Sequence, residues 1–161
     1  ERSLHLGDHR HGDARARIVG VSLRDDGGRE IGSPQPAQSC RVVITAACRE
    51  PIERPIVGFT LRNRLGDILA ATNTSYESSP LPPLPAGEGI TVEFTLRWPP
   101  FSSGTFSLSP AIADGDLEGH VMSDWVDNAL VFEVSNPGAR YGWLQLELAG
   151  VRCAHHPGMR R

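Results

Sequence analysis

Between Ala16 and Val151 the apolar side chains recur at every second position, in short runs cut by glycine and proline. No segment sustains a period of 3.6 with helix caps. A chain patterned this way cannot bury its apolar residues as a helix bundle. It can bury them as half-exposed strands, each with one face inward. About eight such segments are legible. They are "ARIVGVSLRD" (16–25), "QSCRVVITAAC" (38–48), "RPIVGFTLRN" (54–63), "DILAATN" (67–73), "ITVEFTLRW" (90–98), "GTFSLSPAIA" (104–113), "NALVFEVSN" (128–136) and "GWLQLELAGV" (142–151). The third and fourth make a hairpin about Leu65-Gly66-Asp67. "SSPLPPLPAGEG" then breaks all regular structure, because proline fixes φ and removes ladder donors. Short strands with one apolar and one polar face predict two antiparallel sheets packed face to face, an immunoglobulin-like or jelly-roll β-sandwich. Residues 1–15 read as a polar tail or linker, 16–151 as one sandwich domain and 152–161 as a C-terminal tail.

A length of 161 residues suits one domain with one core. The net charge of −3 recruits neither nucleic acid nor an anionic membrane. All 16 basic residues are arginine, so neither a P-loop lysine nor a Schiff-base lysine can lie in this chain. Of the three cysteines, Cys40 and Cys48 share one strand, where eight residues extend roughly 26 Å against a bridging limit of ~7 Å. Reduced core thiols are expected, which favours a cytoplasmic setting.

Candidate chemistry is sparse. His5, Asp8, His9, His11 and Asp13 match no structural zinc spacing and read as a solvated linker. Asp114, Asp116 and Glu118 lack the remaining ligands of a calcium loop. Asp124 and Asp127 flank Trp125, a pairing that suits sugar binding better than glycoside hydrolysis, with a buried structural tryptophan as the competing reading. "NTS" at Asn73 matches a glycosylation sequon but reads as a strand end. There is no GxSxG elbow, HExxH helix or GxGxxG turn, and no catalytic residue, metal or cofactor is expected.

Four segments together carry a family resemblance. "GDARARIVGVSLRDDGG", "RPIVGFTLRNRLGDILAATNT", "LPPLPAGEGITVEFTLRWPPFSSGTFSLSPAIADGD" and "HVMSDWVDNALVFEVSN", in that order, resemble the carbohydrate-binding C-terminal domain of Wzt-type proteins. Those are the nucleotide-binding subunits of ABC transporters that export O-antigen polysaccharide. The resemblance implies a cytoplasmic β-sandwich at the inner membrane that recognises the finished glycan and does no chemistry. A separate domain would hydrolyse ATP beside a membrane subunit. It also implies a homodimer formed by exchange of a C-terminal strand, here residues 142–151.

On this reading the polar face of the third strand acquires a purpose. Thr60 and Arg62, with Ser107 and Ser109 on a neighbouring strand, would form a polar floor for sugar hydroxyls, and Arg62 would suit a phosphate or uronate. Trp125 and Asp127 would stand at the rim. The alternatives left open are a structural or adhesive immunoglobulin-like module without a sugar ligand, and a sugar-active enzyme on a jelly-roll scaffold.

Overall fold

The computed structural model describes residues 2–3, 9–138, 142–146 and 148–153. Ten strands run in chain order: β1 (Arg2–Ser3), β2 (Arg10–His11), β3 (Ala16–Arg24), β4 (Ser39–Cys48), β5 (Pro55–Asn63), β6 (Ile68–Asn73), β7 (Gly89–Arg97), β8 (Gly104–Gly115), β9 (His120–Val126) and β10 (Leu130–Val134). Among the described residues there is no helix. They form two antiparallel sheets. The first has the order β1-β3-β4-β7, the second β2-β9-β8-β5-β6, with β10 also on β8. The expected β-sandwich is the fold.

Alternation explains the core. Val42, Ile44 and Val92 of the first sheet face Val57, Leu61, Leu108 and Ile112 of the second, all buried. In β3 the register shifts between Ile18 and Gly20, so that Ile18 and Val21 both turn inward while Val19 is left exposed. One end of the core is aromatic: Trp98, Phe101, Phe106 and Phe132 pack with ring centroids 5.4–6.5 Å apart. Cys40 and Cys48 are buried free thiols and Cys153 is exposed and free.

Three expectations need correction. Residues 10–11, expected in a flexible tail, are a strand of the second sheet, and the Arg10 side chain is only 6% exposed. Residues 120–126, where no strand is expected from the sequence, form β9. The period-two signal there is masked because the inward position holds a carboxylate, Asp124, instead of an apolar group. "GWLQLELAGV" makes no strand among its described residues. Leu144 forms an isolated bridge to Phe101, while Leu146, Leu148 and Val151 are exposed.

β8 organises the second sheet. On one side it pairs with β5 from Phe106 to Asp114, and on the other with β9 from Ala111 onward and β10 up to Leu108. β9 and β10 are thus one line of chain interrupted at Asp127–Ala129. The interruption lies opposite Ser109 and Pro110, and proline has no N–H to offer a ladder.

Candidate functional site

The outer face of the second sheet carries an unusual row. Across the strands His11, Trp125, Ala111, Gly58 and Asn73 stand in register, so the two central positions are small and the flanking ones large. Next to that row Ala113 lies between Ile56 and Met122, and on its other side Thr60 lies between Ser109 and Ala71. Small side chains over two adjacent strands, flanked by large ones, leave a trough. It is a groove of about 190 Å³, walled by Trp125 on one side and by Tyr76, beyond the end of β6, on the other.

Trp125 is held from several directions. Its Nε1–H donates to Asp127 Oδ1 at 2.8 Å, His11 stacks on it at 5.7 Å, and the Arg62 guanidinium lies 5.9 Å from the ring centroid. Arg62 also donates to the same Asp127 oxygen at 3.2 Å, and the Asp127 N–H is bonded to His9 O at 2.9 Å. Asp127 therefore gathers an indole, a guanidinium and the N-terminal segment around one carboxylate, which leaves the indole little freedom to turn.

The six residues expected at the site divide into three roles. Thr60 and Trp125 line the groove. Arg62 and Asp127 brace Trp125 from outside it, and the Arg62 charge is already paired with Asp127. Ser107 and Ser109 lie directly opposite Arg62 and Thr60, on the adjoining strand as expected, but both are buried. Their hydroxyls hold the chain interruption: Ser107 Oγ donates to Asn128 Oδ1 at 2.7 Å, and Asn128 N–H donates to Ser109 Oγ at 2.9 Å. Asn128 sits at φ +50°, a left-handed conformation that asparagine tolerates. The two serines shape the segment that carries Trp125 and Asp127 and offer no hydroxyl at the surface. Gly58, Ala111, Ala113 and Tyr76 were not among the expected residues. The signal for the first three was a glycine or alanine at outward positions of strands where polar side chains are the rule, and Tyr76 had none.

Other candidate clusters resolve into structural pairs. Asp124 lies on the inner face of the sheet, opposite to Asp127. It accepts from Ile18 N–H at 2.7 Å and from Arg10 at 2.8 Å, with Arg17 at 3.4 Å. Burial pushes its carboxyl up, against the pull of the Ile18 N–H and the two guanidiniums. The two aspartates do not converge on one point, as a hydrolytic pair must. Asp116 pairs with Arg54 and caps the Glu118 and Gly119 N–H groups, while Asp114 pairs with Arg15. Asp13 is also bonded to Arg15, and His5 and Asp8 lie outside the described residues. Among the described residues no group of three or more His, Cys, Asp or Glu could hold a metal ion. Asn73 Oδ1 caps the N–H groups of Ser75 and Tyr76, the role of a strand end. Burial pushes the Cys40 thiol up to about 11, an inert value for a nucleophile.

The fold and the groove together define an antiparallel β-sandwich domain with an open groove on the outer face of one sheet. A family model described as the Wzt C-terminal domain matches residues 7–146. The chain belongs to that family, whose members are carbohydrate-binding modules of ABC transporters. The crystal structure of the C-terminal domain of Wzt superposes with a TM-score of 0.83 at 16% identity, covering 95% of this chain and 93% of that one. A β-glucosidase from Listeria innocua in complex with gluconolactone aligns at 12% identity over 81% of this chain and 16% of its own, with a TM-score of 0.39. The structural-genomics target SoR45 aligns at 14% identity over 89% and 98%, with a TM-score of 0.40. No curated protein matches it.

Proposed function

We propose that this domain binds O-antigen polysaccharide in the groove between Trp125 and Tyr76 and confers substrate specificity on an ABC exporter without cleaving a bond. The observation that carries this reading is the fixed indole wall over a floor of small side chains, in a chain of the Wzt C-terminal domain family. Rigid aromatic walls suit the apolar faces of sugar rings, and a shallow open groove suits one segment of a long chain better than a small metabolite. ATP hydrolysis belongs in a separate domain, next to a membrane subunit. The working location is the cytoplasmic side of the inner membrane, in keeping with the buried free thiols.

The active form is a homodimer. Its supporting feature is an apolar cleft of about 470 Å³ where the sandwich opens between β6 and β7, each the last strand of its sheet. Phe94 and Leu96 are only half-buried there, and residues 142–151 of a second copy, with Leu146 and Leu148 exposed, are the segment that would close it. Light scattering at high concentration should return twice the chain mass; a monomeric mass removes the dimer.

The binding test is titration of the domain with O polysaccharide from the source organism beside an unrelated bacterial polysaccharide. Selective binding that Trp125→Ala weakens by at least about tenfold, with the melting temperature retained, is the expected result. Equal or absent binding of both by a folded protein would instead favour a structural module.

A further inference from the structure

The lining of the groove says what part of a sugar it can hold. Its floor is carbon: Ile56, Gly58, Ala71, Ala111, Ala113 and Met122. Most polar groups of the lining are already committed, the Asn73 side-chain NH2 at the β6 edge being the exception. Trp125 Nε1 is bonded to Asp127, Asn73 Oδ1 to two backbone N–H groups, and Thr72 Oγ1 to Glu77. Thr60 contributes to the floor, but its hydroxyl is buried without a partner and so is not offered to solvent. Backbone donors and acceptors beneath are spent in the ladders of β5, β6, β8 and β9. Polar side chains remain at the rim, where His120 and Tyr76 are exposed, with Leu117 exposed beside them. No aspartate, glutamate or arginine lines the groove, and the neighbouring Arg62 is neutralised by Asp127.

A hexose hydroxymethyl group set on that floor would lose its water and gain no hydrogen bond, and a carboxylate or phosphate would lose far more. A methyl group loses nothing and buries apolar surface. We infer that the groove selects a neutral sugar residue through a methyl group, carried either as the C6 methyl of a 6-deoxyhexose or as the methyl of an acetyl substituent, with ring hydroxyls directed to the rim. The inference rests on the carbohydrate-binding reading above and names the chemical class that reading leaves open.

The test uses the full chain, ¹⁵N-labelled, titrated by NMR with sugars that differ by one group: L-rhamnose against L-mannose, L-fucose against L-galactose, N-acetyl-D-glucosamine against D-glucose, and D-glucuronate as the charged member. The expected result is binding at least about fivefold tighter for the methyl-bearing member of a pair, with shifts at the Gly58, Ala111 and Ala113 amides and the Trp125 indole. Preference in the first two pairs identifies a 6-deoxyhexose, and preference in the third an acetylated sugar. Ala111→Leu fills the trough at its centre and should abolish these shifts. Ala111→Ser, a change small enough to keep the fold, should bring each pair closer to parity by at least about twofold.

Several outcomes overturn the inference. Parity within every pair, preference for glucuronate, or an Ala111→Ser preference equal to the unsubstituted chain would each do so while selective polysaccharide binding leaves the broader reading intact. If neither polysaccharide nor any monosaccharide shifts these resonances, both readings fall together.

Discussion

Asp124 is the residue on which the N-terminal part of the domain turns. Its carboxylate takes the Ile18 N–H and the Arg10 guanidinium within 2.8 Å and is itself fully buried. Arg10 is buried nearly as deeply, so removing the carboxylate strands a cation away from water. Asp124→Ala should therefore cost about 3–5 kcal/mol of stability, visible in urea unfolding as a lower midpoint. Asp124→Asn should cost less, because an amide oxygen can still accept from Ile18 N–H. A midpoint unchanged by both substitutions would mean that β2 does not dock in solution. Trp125, one residue along, faces the other side of the sheet, which is the alternation of a strand separating structure from recognition within two residues.

At the scale of the element, the approach of β5 to β6 shapes the groove as much as any wall does. A Cβ built on Gly58 would lie 2.5 Å from Thr72 O and 2.6 Å from Asn73 Cβ, so only glycine permits the two strands to lie as they do. Gly58→Ala should push β6 away, lowering stability by about 1–3 kcal/mol and weakening glycan binding along with it. A crystal structure of the variant with β6 unmoved would contradict this. The Asp127–Ala129 interruption is the second such device, since it sets Asp127 beside Trp125 of β9 before β10 resumes the ladder.

Most of the strands could be read directly from the sequence, because alternation reports the inward face wherever that face is apolar. β9 could not, since its inward Asp124 is a carboxylate whose partners Ile18 and Arg10 are more than a hundred residues away. "GWLQLELAGV" shows the converse. It alternates well, yet alternation gives a segment a face without giving it a neighbour. At the site, Arg62 and Asp127 were legible in the sequence as candidate sugar contacts, and their contacts with Trp125 appeared only once the strands were placed. The groove itself was not, because its floor consists of glycine and alanine, and such residues signal nothing until the strands are laid side by side.

For the whole molecule, one charge cluster ties the sheets together. Arg15 precedes β3 in the first sheet and reaches Asp114 on β8 in the second, while also bonding Asp13. The Arg15 backbone N–H foremost, then its guanidinium, holds the Asp13 carboxyl below the usual range. At Asp114 burial pulls upward, but the Arg54 N–H and Arg15 outweigh it and the carboxyl is again depressed. Carboxyls depressed in the fold contribute stability that is fully present above the unfolded value of 3.8 and is lost as pH falls through the lower folded values. The melting temperature should therefore drop as pH is lowered below about 4, and Arg15→Ala should make that drop shallower. Parallel acid profiles for the two proteins would assign the acid loss to other carboxylates.

The sequence by itself determined the class of fold, since period-two alternation broken by glycine and proline has few other ways to bury its apolar side chains. It also determined that this chain carries no lysine for nucleotide chemistry, and through segments such as "RLGDILAATNT" it pointed to the family. Only the tertiary structure decided which outward residues share one surface. Register brings Trp125, Ala111, Gly58 and Asn73 into a single row from four strands, and it turns Ser107 and Ser109 from a floor into a brace. The physical reason is that alternation is a local property, set by the geometry of one strand. A groove is a property of neighbours, set by which strands pair and at what offset.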